Sequence, residues 1–134
     1  MGVDYSDVVG LAADLHAVPG RILPLAKIVA RKTGYDTVSD AQVNAPVDTG
    51  LLASSISVDF DGDGLGWTAG PTVEYGAYLE YGTSGPYPIP NAFGRDGFVM
   101  HPGISPQPYM GPAFDGQVVS AENAIGQAAM QVLR

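Results

Sequence analysis

Asp48-Thr49-Gly50 is the triplet with the clearest chemical potential in this chain. A carboxylate held in such a loop, set against its twin from a second copy, shares one proton with it and activates water for peptide hydrolysis. A length of 134 residues suits a homodimer of that kind. The surroundings argue against it. Such a dyad belongs at the end of an apolar strand and before a small residue. Here the triplet follows Asn44-Ala45-Pro46 at the end of a helical pattern, and Leu51 comes next. Asp48 reads better as a helix cap, accepting amide hydrogen bonds two or three residues on. On that reading Asp48→Asn is nearly silent in a thermal melt, and Asp48→Ala costs about 1 kcal/mol.

Other candidate chemistry is thinner. Asp59-Phe60-Asp61-Gly62-Asp63-Gly64 places carboxylates at positions 1, 3 and 5 of a calcium-type loop, with glycine at 6. The bidentate glutamate needed at position 12 is Gly70, so the segment reads as a solvated hairpin turn. His16 and His101 are far apart in sequence, with no acidic or histidine neighbour at ligand spacing. With no cysteine, the chain has neither a thiol nucleophile nor a thiolate metal site. Neither a nucleophile elbow nor a glycine-rich phosphate loop with its lysine is present. No catalytic residue, cofactor or metal is expected.

Composition bounds the rest. At 46% hydrophobic and 15% charged, the chain is a folded domain and not a disordered tail. It is long enough for one core, and no apolar run nears the roughly 18 residues of a membrane span. The N-terminus lacks a signal pattern, so cytoplasmic synthesis is expected. Net charge is −8, with six acidic and no basic residues between 47 and 82. An acidic centre repels phosphate, which argues against direct nucleic-acid binding.

These residues must be positioned by a few elements. Val8, Leu11, Leu15, Val18, Ile22, Leu25 and Val29 recur every three or four residues, the stripe of a helix. Pro19 and Pro24 predict a break, giving a short helix near 6–17 and a longer one from about 20 to 45. Ile56, Val58 and Phe60 alternate with polar residues, and 65–70 forms the return strand of a hairpin. Tyr75, Tyr78 and Leu79 predict a two-turn helix closed by Gly82. Core filling is expected of Tyr78 and Leu79, and Tyr81 is the better contact candidate. Between 83 and 108 six prolines and four glycines predict a mobile loop, with one short strand at Phe98, Val99 and Met100. Phe114, Val118, Ala121, Ile125, Ala128 and Val132 mark a last helix from about 112 to 133.

The fold class is therefore α+β in a single domain over 1–134. A small antiparallel sheet packs on a long N-terminal and a C-terminal helix, around Ile22, Leu25, Ile56, Val58, Ile125 and Val132. Replacing the loop from Ser84 to Ser105 with a Gly/Ser linker is expected to preserve folding. No large apolar stripe is expected to remain, so the purified protein is expected to be monomeric or weakly associated.

Three phrases in order carry a resemblance. Pro46, Asp48, Thr49, Gly50, Leu52 and Ser55 form the first. Tyr75, Tyr78, Glu80, Tyr81, Gly82 and Thr83 form the second. Pro106, Gln107, Pro108, Tyr109, Pro112 and Ala113 form the third. Over about residues 22–134, with the first twenty left unassigned, the pattern resembles the tail-completion or neck proteins of long-tailed bacteriophages. That resemblance implies a non-catalytic virion subunit at the head–tail junction, assembled as a six-fold ring. Its partners would be further copies of itself and the neighbouring neck and tail-tube proteins. DNA would pass through the ring without sequence-specific binding, and no membrane is involved. A tail-terminator ring is the near alternative, and a homodimeric aspartic protease using Asp48 the distant one. The family's usual basic residue after Thr-Gly is Leu51 here.

Overall fold

The structure, a computed structural model, describes residues 6–47, 50–90, 94 and 96–133. It is α+β. A helix α1 (Ser6–Asn44) leads to the single turn α2 (Leu51–Ser55). A hairpin of β1 (Ile56–Phe60) and β2 (Trp67–Pro71) follows, then the short helix α3 (Gly76–Tyr81). A second hairpin pairs β3 (Tyr87–Pro90) with β4 (Phe98–His101), and α4 (Met110–Val132) closes the described chain.

The expected break in the first helix does not occur, because Pro19 and Pro24 lie inside one continuous α1. Each proline removes one amide donor and crowds the carbonyl four residues earlier. For Pro24 that carbonyl belongs to Gly20, which is exposed and has open space where a Cβ would stand. Water can take the freed acceptor there, so the helix continues at a local cost.

The centre of the fold is built from small residues. Thr33, Thr37 and Ala41 recur every four residues along α1, Ala45 continues the spacing just past its end, and all four are buried. The two threonine hydroxyls donate back to the carbonyls of Val29 and Thr33, at 2.7 and 2.8 Å, so their burial leaves no orphaned group. This narrow face lets α4 come close, and α1 with α4 forms the most extensive contact in the molecule. Gln117 on α4 also donates to the Asp40 carboxylate at 2.7 Å. Beside this face, Gly34 admits the first hairpin. A Cβ there would lie 3.0 Å from the Phe60 ring.

The buried set is Ala41, Ala45, Leu52, Ile56, Tyr109, Ala113 and Ala128. Of the core expected from sequence only Ile56 belongs to it. Ile22, Leu25, Val58 and Val132 are half-buried and Ile125 is exposed. Tyr78 is also exposed, whereas Leu79 packs against the core as expected.

The first hairpin forms as expected, with Ile56 opposite Pro71 and Phe60 opposite Trp67, though its return strand runs over Trp67–Pro71 and not 65–70. Asp61 N–H donates to Gly66 O and Gly64 N–H to Asp61 O, both at 2.9 Å, while the Asp63 carboxylate accepts from Leu65 N–H. This is the tight turn foreseen at Asp61–Gly64.

In the second hairpin the strand expected at Phe98–Met100 has found a partner, with Pro88 opposite Met100 and Pro90 opposite Phe98. Pro88 and Pro90 stand on one edge of β3. Lacking N–H groups, they fit an unbroken ladder only if that edge faces outward. A further strand therefore finds no donors along β3, which blunts the edge against sheet growth. The hairpin makes no substantial contact with any other element. It is an arm.

At its base Thr83 and Ile104 exchange two hydrogen bonds, so Ile104 belongs to the body. The replaceable stretch is therefore narrower than Ser84–Ser105. Exchanging residues 86–102 for a short Gly/Ser linker should leave the melting temperature nearly unchanged, since Gly85 and Gly103 already touch and closure entropy varies slowly with length. Circular dichroism melts of the shortened chain check this.

The expectation that no large apolar stripe remains also fails. Val43 and Val47 are 81% and 82% exposed, and Ile28, Tyr35, Val119 and Met130 face outward as well. Helices that meet through alanine and threonine leave their larger apolar side chains outside the contact.

Candidate functional site

The three sequence phrases converge on one joint. Pro46, Gly50 and Leu52 come from the first, Tyr75 from the second, and Gln107 from the third; with Leu79 and Ile104 they line a cavity of about 290 Å³. Asp48 and Thr49, and with them the capping reading of Asp48, lie outside the described residues.

Glu80 holds the second and third phrases together. Its carboxylate accepts from Tyr109 N–H at 2.8 Å, Met110 N–H at 2.9 Å and Gly111 N–H at 2.9 Å. These are amides of the first turn of α4, which have no partner within their own helix. Burial raises the Glu80 pKa, but the three N–H donors together outweigh it and hold the carboxyl below the usual glutamate value. A negative charge is also favoured at a helix N-terminus.

Tyr109 is fully buried, and its hydroxyl donates to Gly76 O at 2.9 Å. Burial, and then the neighbouring Glu80 charge, push its phenol above the ordinary value, so it remains a donor at neutral pH. Gly76 makes room for it. A Cβ there would lie 2.8 Å from the Tyr109 hydroxyl and 2.5 Å from Pro71. Gln107 N–H donates to Leu79 O at 2.7 Å and completes the clasp.

Gly82 sits at φ 72, ψ −177, a region open essentially to glycine alone. A Cβ would meet Ile104 O at 2.7 Å. Gly82→Ala should therefore cost about 2 kcal/mol, read as a fall in melting temperature at fixed protein concentration.

The remaining site residues divide by exposure. Tyr75, Tyr78 and Tyr81 point outward, Tyr81 at 79%. Pro106, Pro108 and Pro112 are exposed and Thr83 is half-buried. Tyr109, from the third phrase, serves the joint and not a surface. The role of Glu80 as a cap on a helix thirty residues away was missed. One signal pointed to it: Tyr109, at the N-cap position of α4, is not a capping residue, so an acceptor had to come from elsewhere.

Residues 10–82 match the model of a protein family described as "Bacteriophage HK97-gp10, putative tail-component". The chain belongs to this family. That places it among the structural tail components of phage virions, which work in contact with other phage structural proteins. The match spans most of α1, the first hairpin and α3; the arm and α4 follow it in the chain. No curated protein and no solved structure shows significant similarity. Among the described residues no helix is long and apolar enough to cross a membrane.

Proposed function

We propose that the protein is a non-catalytic subunit of the phage head–tail junction, which completes the tail by assembling as a ring, six-fold by resemblance, between neck and tail tube. One observation carries the self-association. Large apolar side chains stand exposed on several elements, Val43 and Val47 at 81% and 82%, with Ile28, Met130 and Phe98 each above 60%. Such side chains are of the kind that obligate interfaces cover.

The joint fits the same reading. It keeps α3, the base of the arm and the start of α4 in a fixed relation, so that surfaces on either side of it present one rigid shape to neighbours. The charge of −8 suits a lumen through which DNA passes without adhering. The contact candidates are the exposed Tyr75, Tyr78 and Tyr81.

Infection by phage lacking this subunit tests the reading. It should yield filled heads and tails of normal length that do not join, seen by electron microscopy, with joining restored by the protein in trans. Tails of uncontrolled length would instead identify a terminator ring. Normal joined virions would overturn the junction role.

A further inference from the structure

The positive charge of this acidic chain is gathered on one stretch of α1. Residues 15–35 hold four of the six basic side chains, Arg21, Lys27, Arg31 and Lys32, and no acidic one. All four are exposed. Lys32 pairs with Asp36, but among the described residues Arg21, Lys27 and Arg31 have no ion-pair or hydrogen-bond partner. Asp61 and Asp63 share the wall of a pocket with Lys27 and Arg31, yet their carboxylates stay with their own turn. Asp63 accepts from Leu65 N–H, and the Asp61 carboxylate lies over Gly66. Ile28 and Tyr35 flank Arg31 on the helix and are 64% and 57% exposed. Arginine and tyrosine beside an exposed large apolar side chain are what protein contacts favour.

The opposite charge stands elsewhere in the fold. Between 47 and 82 there are six acidic residues and no basic one. Glu74, Glu80 and Tyr81 share the wall of a hollow of about 450 Å³ beside α3. Glu80 is committed to the start of α4, but Glu74 is exposed and has no partner among the described residues. Tyr81 offers its ring at 79% exposure. A carboxylate beside an open aromatic ring suits a guanidinium, which pairs with the first and stacks on the second. The two surfaces cannot meet within one copy. Leu79 packs α3 onto the cluster that holds Ala41. From Arg21 and Arg31 to Ala41 the continuous helix rises about 30 and 15 Å.

We propose that the basic stripe of α1 in one copy seats on the acidic hollow beside α3 in the next, with Arg31 entering between Glu74 and Tyr81. This rests on the ring reading above and names its interface. Charge selects a second copy as the occupant. Chains of net charge −8 repel one another unless basic meets acidic, and this stripe holds four of the six cations. Each copy carries both complementary surfaces and can use each once. Because they differ and lie apart, the contact is heterologous, and it repeats until the rotation closes.

Light scattering across a concentration series, in about 50 mM and about 500 mM salt, tests this. Wild type should assemble beyond a dimer, and more weakly at the higher salt. Arg31→Glu and Glu74→Arg, both at exposed positions, should each keep the circular dichroism spectrum and weaken assembly about tenfold or more. The two changes in one chain should restore it, because the pair is then reversed and not lost. An equimolar mixture of the two single variants should also assemble, since each stripe then finds a hollow of opposite charge.

Assembly that neither single variant weakens, or that the double variant fails to regain, overturns this interface and leaves the ring standing. A wild type that stops at a two-fold dimer overturns the head-to-tail contact. A monomer at every concentration and salt overturns both the contact and the ring. Retention of wild type on duplex DNA that Arg31→Glu abolishes, with assembly unchanged, would give the stripe to phosphate and overturn the proposal as well.

Discussion

Glu80→Ala should lower stability by about 3 kcal/mol, a fall of roughly 10 °C in melting temperature at fixed protein concentration. The loss is larger than that of an ordinary cap because one carboxylate serves three amides, Tyr109, Met110 and Gly111. Glu80→Gln keeps one acceptor oxygen and gives up the charge, so it should fall between wild type and Ala. The effect should also depend on pH. The folded-state pKa of Glu80 lies below its unfolded value. Its contribution is therefore complete above the unfolded value, about pH 4.3, and fades as pH falls through the folded one. Melts of wild type and Glu80→Gln from pH 7 to pH 3 check this, and the gap between them should narrow toward the acid end. A constant gap would show that Glu80 stabilises by packing and not by its charge.

Tyr109→Ala should cost about 4 kcal/mol, the range for deleting a buried aromatic ring. Tyr109→Phe isolates the hydroxyl. It keeps the ring among Ala41, Leu52 and Ile56 but leaves Gly76 O without its 2.9 Å donor, for about 1 kcal/mol. Since Tyr109 N–H also donates to Glu80, the two sites are not independent. A double variant of Glu80→Ala with Tyr109→Ala should lose less than the sum of the single losses, because the first change already frees the start of α4. Urea titrations of the three variants measure this coupling. Strict additivity would mean that the clasp and the buried ring act separately.

These two residues show where reading a sequence succeeds and where it stops. The hairpin at Asp61–Gly64, the short helix closed by Gly82 and the last helix over Phe114–Val132 were legible, because each rests on local periodicity or on a turn residue whose backbone preference acts within a few positions. The phrases at Pro46–Ser55 and Tyr75–Gly82 were legible, and both lie within the family match over 10–82, which the third phrase follows. The role of Glu80 was not. Its partners lie about thirty residues away, and only the folded chain brings them within 3 Å.

The core escaped for a different reason. Hydrophobic stripes point to large apolar side chains, but α1 and α4 approach through Thr33, Thr37, Ala41 and Ala45, where closeness matters more than hydrophobicity. Ile28, Val43, Val47 and Phe98 were thereby left outside, which no pattern of spacing reveals. Sequence alone determined the last helix, the short helix at Gly76–Tyr81, the turn at Asp61–Gly64 and the membership of a phage tail-component family, since those depend on neighbours along the chain. Tertiary structure alone decided which apolar residues close the protomer and which remain exposed. Burial is a property of the space between elements, and that space exists only once α4 has settled on α1.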